Sequence, residues 1–459
     1  MTENLQVHNI PPLAHDSYPH EEEHRVEQIL IPREKDAPAP VQDLIRNALE
    51  NPIGQPPLCE QIQTGESVLM VVGDWARKYP RVEILQTVLE TLRHVRPQDV
   101  TVLIGGGTHV PTDPQEIGLG PDSLPEGVQI LAHDANNWDE LAFLGTTQSR
   151  FGRFFFPMLA REAWWSATDL PRNTLGALGD LTRGQITGFR KRIGLGPLGR
   201  IPLYLNASRG TRVYVNRLLL ESDHIVTCGQ VKPHYFGGFS GGAKMIMPGC
   251  STRKTIAGNH FMKAHPNSRI GVIEGNLVRQ DMERSARLLP RHTICDVVLN
   301  GNGEVVDAAA GDVVEAHRHL VNTCRQIATI PLETRSDVVV VSAKLPLSIN
   351  VYQLAKALVP AAIAVRRGGT IICSGACPRG IGPEFIVNHL IFRLGVKNYL
   401  PPDVHLTLVS DLEPQVVDRT FFHSRSESVE EALRKAQNRH GEDYRVTLIP
   451  DANSVIPVA

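Results

Sequence analysis

The chain has 459 residues and 7 cysteines, and its 47 Lys and Arg against 49 Asp and Glu leave a formal net charge of −2. That length exceeds one ordinary core and predicts two domains with a ligand cleft between them, while the balanced charge argues for a small-molecule partner over nucleic acid or an anionic membrane surface. Cys59, Cys228, Cys250, Cys295, Cys324, Cys373 and Cys377 lack paired CxxC spacing, which predicts free thiols in a reducing, cytoplasmic setting, and no run approaches the roughly 18 apolar residues of a membrane helix.

Residues 1–26 read as a polar, proline-spotted tail. Within it His20-Glu21-Glu22-Glu23-His24 matches the HExxH pattern of zinc proteases, but it has no apolar stripe and follows Tyr18-Pro19, so it reads as a solvated charge run. Residues 67–73 and 100–104 then read as buried strands with a helix over 82–95 between them, which is βαβ grammar. Further strands are expected at 224–229, 337–343, 370–374, 405–409 and 446–449, with helical patterns at 351–365 and 429–437. The expected fold is α/β: two domains of parallel or mixed sheets flanked by helices, with the active site in the interdomain cleft. Their bounds are expected at 27–270 for a cofactor-binding domain and 271–459 for a C-terminal domain whose last strand is free to pack back on the first.

In open α/β sheets ligands collect at the carboxyl ends of strands, so the residues after each strand carry the most information. The first strand ends in Gly73-Asp74-Trp75-Ala76-Arg77, which an N-capping Asp with an incidental Arg would also explain. The second ends in Gly105-Gly106-Gly107-Thr108-His109. This turn fails the GxGxxG dinucleotide spacing, because Val110 stands where the third glycine belongs. After the third comes Val231-Lys232-Pro233-His234-Tyr235-Phe236-Gly237-Gly238-Phe239-Ser240-Gly241-Gly242-Ala243-Lys244, followed by Pro248-Gly249 and Asn259-His260. Lys244 precedes Met245, so this is no Walker A loop, which needs Gly-Lys-Ser/Thr. His109 and His234 both follow strand ends, and an imidazole exchanges protons near neutrality, so the pair suits acid–base work on one substrate. In the second half Tyr352-Gln353-x-x-Lys356 begins a helix; Gln353 and Lys356 share a face, and an amide with an ammonium suits a carboxylate.

Asp74-x-x-Arg77, Gly107-Thr108-His109, Pro233-His234 with Gly-Phe-Ser-Gly-Gly-x-Lys through Lys244, Asn259-His260 and Tyr352-Gln353-x-x-Lys356 resemble, in this order, the nickel-dependent lactate racemase family of 2-hydroxyacid racemases and epimerases. The resemblance runs from about residue 27 to the C-terminus. It implies a nickel pincer nucleotide, pyridinium-3-thioamide-5-thiocarboxylic acid mononucleotide, held covalently on Lys244, with His260 as the protein ligand to Ni. It implies His109 and His234 as the two acid–base residues, and Arg77, Gln353, Lys356 and Tyr352 around the substrate. Asp74 and Ser240 would support the cofactor, or Asp74 would support Arg77. The implied reaction removes the hydroxyl proton to a histidine and the α-hydrogen as hydride to the cofactor, then returns the hydride to the opposite face. Cofactor-biosynthesis enzymes are implied as transient partners, and a homo-oligomer is left open.

Two departures stand out. Val110 occupies a position where the family often has Arg. Between Gly145-Thr146-Thr147 and Gly210-Thr211-Arg212, where the family connects within a few residues, an insertion spans 148–208 with Phe154-Phe155-Phe156, Trp164-Trp165 and an excess of arginine. It reads first as a small helical excursion burying its aromatics, next as a lid over the pocket suited to a larger or more anionic hydroxy acid than lactate, and last as a nucleic-acid contact. Three functions remain: a racemase or epimerase, a net redox enzyme on a hydroxy acid with the same cofactor, and a non-catalytic ligand-binding protein. Bound nickel and a mass increment on Lys244 separate the first two from the third, and the fate of an α-deuterium label separates the first from the second.

Overall fold

The computed structural model describes residues 26–147 and 210–458, apart from Phe385 and Leu394. The HExxH run and the 148–208 insertion lie outside the described residues.

Strands Val305–Gly311, His292–Leu299, His224–Gln230, Val68–Gly73, Val100–Gly105 and Gln129–Ala132 lie side by side in that order. All neighbours run parallel except the first pair, which is antiparallel. A second six-stranded sheet orders Val26–Ile29, Val446–Ile449, Ser336–Ser342, Val365–Ser374, His405–Val409 and Ser424–Ser426, parallel throughout. The α/β expectation, with one mixed and one parallel sheet flanked by helices, therefore holds. Sheet membership does not divide at residue 270: strands as late as Val305–Gly311 belong to the first sheet, and the earliest, Val26–Ile29, belongs to the second. The final strand, Ile456–Val458, pairs with Thr329–Pro331.

The core follows from the pleat, which sends alternate side chains to opposite faces. In Val68–Gly73, Leu69 and Val71 join a central cluster that continues through Val339 and Val341 of the second sheet. Val68, Met70 and Val72 turn the other way, onto Ile45, Leu49, Ile84, Leu85 and Val88 of the helices Val41–Glu50 and Arg81–Thr91. Val338 and Val340 likewise turn outward onto Leu433 of the helix Val429–His440. Both faces of each sheet are covered, which is why these strands read as unbroken apolar runs.

One expected helix differs. Residues 351–365 form Val351–Leu354, a tighter turn at Ala355–Ala357, and Leu358–Ala364. Pro360 is the physical reason: it has no N–H to give residue 356, and its ring crowds that carbonyl, so the preceding turn tightens. No helix among the described residues is long and apolar enough to cross a membrane.

Candidate active site

The expected residues converge on the carboxyl ends of strands from both sheets. Arg77, Lys232, His234, Ser240, Gln353 and Lys356 line one pocket, closed by Tyr235, Ile270, Leu347, Pro360 and Asn453 among others.

Beside the lining residue Gln353, His109 Nδ1 meets the Asp74 carboxylate, whose side chain is only 4% exposed. The carboxylate can only accept, so Nδ1 carries the proton and Nε2 presents a lone pair. That nitrogen accepts from Gln353 Nε2 at 3.2 Å. Gln353 is held in turn: its backbone N–H is capped by Asn350 Oδ1 at 2.9 Å, and its Oε1 accepts from Lys356 Nζ. The side chain of Asp74 thus goes to His109 and not to Arg77, whose backbone N–H reaches only the Asp74 carbonyl at 3.0 Å.

His234 Nδ1 accepts the Gly237 N–H at 3.0 Å, so neutral His234 carries its proton on Nε2. Nε2 lies 3.2 Å from Lys244 Nζ. An N–H facing an amine needs a lone pair there, which makes Lys244 a free amine. Electrostatics act in the same direction: burial, then Arg77, Arg279 and Lys356, pushes Lys244 well below the usual lysine range. Burial, then Lys244, Lys356, Arg77 and His260, likewise holds His234 in its neutral form. Beyond it Phe236 packs edge-on against both His234 and His260, with ring centroids 4.6 and 4.8 Å away. Lys244 and Lys263 sit over the Phe236 ring at 5.8 and 6.0 Å.

His260 closes the helix Arg253–Phe261, and its Nδ1 faces Asn259 Oδ1 at 3.1 Å. Asn259 is itself fixed by Nδ2 bonds to Asp281 Oδ2 at 3.0 Å and the Val278 carbonyl at 3.1 Å. The amide nitrogen being occupied, its oxygen receives the His260 N–H, and Nε2 is left unprotonated. Asp281 also accepts from Thr147 and Thr211, the described residues beside the insertion.

The glycine turn is braced from below. Arg279 is fully buried and donates to the carbonyls of Gly237 at 3.3 Å, Gly241 at 3.2 Å and Phe239. Asp296 accepts the Gly242 N–H at 2.6 Å, and His317 Nε2 donates to the Ser240 carbonyl at 2.8 Å. Ser240 spends its hydroxyl on the main chain, accepting the Lys232 N–H at 3.0 Å and donating to the Gln230 carbonyl at 2.7 Å. Gly238 has φ +75°, and a Cβ there would stand 2.2 Å from the Val272 carbonyl oxygen. Gly238→Ala is expected to cost about 2–5 kcal/mol, from the left-handed backbone and the clash together, read as a fall in melting temperature.

Sequence reading overlooked several of these residues. Lys232 stood in the quoted stretch without a role, although residues two apart in an extended segment face the same way and His234 was already singled out. A lone Asp in the apolar run His292–Leu299 was a signal for Asp296, since a buried carboxylate needs a partner. Arg279, Asp281 and Lys263 sit in polar-looking helical stretches where nothing marked them. Val110, by contrast, is 80% exposed.

Several known proteins resemble this chain in sequence and fold. A family model described as the lactate racemase N-terminal domain matches residues 19–153 and 204–271, so its gap falls within the expected insertion. A lactate racemase of Thermoanaerobacterium thermosaccharolyticum is 26% identical over 446 residues, and one of Lactiplantibacillus plantarum 24% over 444, each covering 90% of both chains. The solved lactate racemase apoprotein from T. thermosaccharolyticum superposes with a TM-score of 0.71 at 25% identity, covering 96% of each chain. A Thermotoga maritima protein shares the fold at 15% identity, with a TM-score of 0.62, covering 93% of this chain and 100% of its own. The chain thus carries the lactate racemase N-terminal domain, is similar to lactate racemases over nine-tenths of its length, and is an isomerase.

Proposed function

We propose that this isomerase racemises or epimerises a 2-hydroxy acid in the pocket between His109 and His234, with the two sheets acting as two domains that meet there. The observation that carries the reading is the pair of histidines in complementary states: His109 offers a lone pair at Nε2, and His234 a proton at Nε2.

The residues fit a nickel pincer nucleotide on two counts. Lys244 is a buried free amine, the state in which a lysine acts as a nucleophile toward an acyl or thioacyl carbon. His260 donates Nδ1–H to an amide that is itself hydrogen-bonded, the arrangement that fixes a metal-ligating imidazole for coordination through Nε2. Among the described residues no three His, Cys, Asp or Glu side chains gather as a protein-only metal site, so nickel on His260 would take its other donors from the nucleotide. When bound, the group supplies a reversible hydride acceptor beside the substrate α-carbon.

The remaining steps belong to the chain. Arg77 and Lys356 hold the substrate carboxylate, Gln353 directs a substrate oxygen toward His109, and Tyr352, whose ring centre lies 5.2 Å from Lys356 Nζ, limits where the ammonium can go. His109 Nε2 takes the hydroxyl proton, with Asp74 holding the ring in the required tautomer. An acylated Lys244 would no longer offer the lone pair that His234 faces, and Nε2–H would then be free to return a proton on the opposite face. Asp74 supports His109, and Ser240 shapes the turn that carries Lys244.

Substrate binding should depend on pH with a defined sign. Burial, then Arg77, lowers Lys356 to about 7, so above pH 7 the free enzyme holds an amine that must gain a proton to pair with a carboxylate. The apparent Kd for a 2-hydroxy acid is expected to rise about tenfold per pH unit above roughly 7. Calorimetry in two buffers of different ionisation enthalpy should record net proton uptake at pH 8, and zero uptake would contradict this role.

The test of the function is protein expressed with the cofactor-building enzymes and given one lactate enantiomer. Appearance of the mirror form, with a mass increment on the Lys244 peptide, supports the reading; an increment with every hydroxy acid left unchanged would sink it.

A further inference from the structure

The pocket carries more positive charge than one carboxylate requires. Arg77, Lys232 and Lys356 all line it, and among the described residues no carboxylate side chain does. None of the three forms an ion pair among the described residues. Of the acids that act on them, Asp74 holds His109, and Asp451, which favours charge on Lys232, uses Oδ1 to accept the Asn453 N–H at 3.1 Å. Unpaired cations in a partly dry cleft cost free energy until an anion arrives, so their persistence points to a ligand.

Neither Lys244 nor Lys263 lines the pocket; both sit over the Phe236 ring. Arg77 and Lys356 suffice for one substrate carboxylate beside His109. Lys232 remains. Its main chain is strapped to Ser240 on both sides, Lys232 N–H to Ser240 Oγ at 3.0 Å and Ser240 N–H to the Lys232 carbonyl at 2.8 Å. The adjoining wall includes Ile270, Leu347, Pro360 and Asn453, an apolar lining with one amide. Burial, then Arg77, brings Lys232 down to about 8, so it keeps its charge at neutral pH.

We propose that the preferred substrate is a 2-hydroxy dicarboxylic acid, whose first carboxylate is held by Arg77 and Lys356 and whose second is received by Lys232. This rests on the racemase reading above, and it makes Lys232 a specificity-determining residue.

The experiment uses the cofactor-loaded full chain with single enantiomers of 2-hydroxybutanedioate, 2-hydroxypentanedioate and lactate, conversion being followed by chiral chromatography. At pH 7 at least one diacid is expected to exceed lactate tenfold or more in kcat/KM. In Lys232→Met that diacid-to-lactate ratio should fall at least tenfold, with Lys232→Arg restoring most of it. Lactate preferred over both diacids in the wild type, or a ratio unmoved by Lys232→Met, overturns the proposal while leaving the racemase reading intact. Loss of the Lys244 adduct in Lys232→Met also overturns it, because the lysine would then serve the cofactor. A loaded protein that converts none of the three acids sinks the proposal and the racemase reading together.

Discussion

Lys244→Ala is expected to reduce nickel to background, to leave its peptide without any mass increment, and to abolish racemisation. The reason is chemical: the site offers one buried free amine beside His234, and no alanine can form a covalent link. Lys244→Arg should fail equally, since it keeps a nitrogen at similar reach but stays protonated and is no nucleophile. Agreement between the two variants separates a covalent role from an electrostatic one. Neither should unfold the chain. The glycine turn is held mainly by Arg279, Asp296 and His317, none of which bonds to the Lys244 side chain. The measurement is metal analysis with peptide mass spectrometry on protein co-expressed with the cofactor-building enzymes. Nickel retained in Lys244→Ala would contradict the assignment.

His109→Ala should behave in the opposite way, keeping the Lys244 adduct and nickel while kcat falls by about 10²–10⁴, the range for removing a general base. Its Nε2 is the one imidazole lone pair aimed at Gln353, and nothing in its contacts touches Lys244 or His260. Asp74→Asn tests the same idea more finely. The amide fits where the carboxylate was, but it can offer an N–H to Nδ1 and so stabilise the tautomer with its proton on Nε2. A fall in kcat approaching that of His109→Ala, with KM little changed, is expected. Normal turnover in His109→Ala, or loss of its cofactor, would remove His109 from the chemistry.

Much of this site was legible because its residues follow strand ends in a parallel sheet. The runs at 68–73, 100–105 and 224–230 announce themselves as apolar, and the residues just past each are Asp74, His109 and His234. The spacing of Gln353 and Lys356 placed them together, and the structure joins them by a hydrogen bond. What stayed hidden depends on pairing over long sequence distances. The strand Val26–Ile29 is short and half-buried, and it is defined only by its partner Val446–Ile449 at the other end of the chain. Leu141–Thr146 pairs with Arg212–Asn216 across the insertion, a hairpin with no turn signal to read. The Asp281 to Asn259 to His260 chain needs two helices docked before it exists, so no local pattern encodes it. Lys232 was visible as a residue, and its meaning came only from the absence of a carboxylate around it in the pocket.

The most direct test of the hydride shuttle follows the α-hydrogen. Cofactor-loaded protein is given one enantiomer of an α-deuterated 2-hydroxy acid in ordinary water, and the inverted product is separated by chiral chromatography and weighed by mass spectrometry. Product of opposite hand that retains the deuterium is expected, because the hydrogen leaves and returns as hydride while the histidines exchange only the hydroxyl proton. Inverted product carrying solvent hydrogen at the α-carbon, or accumulation of the 2-keto acid without inversion, would contradict it.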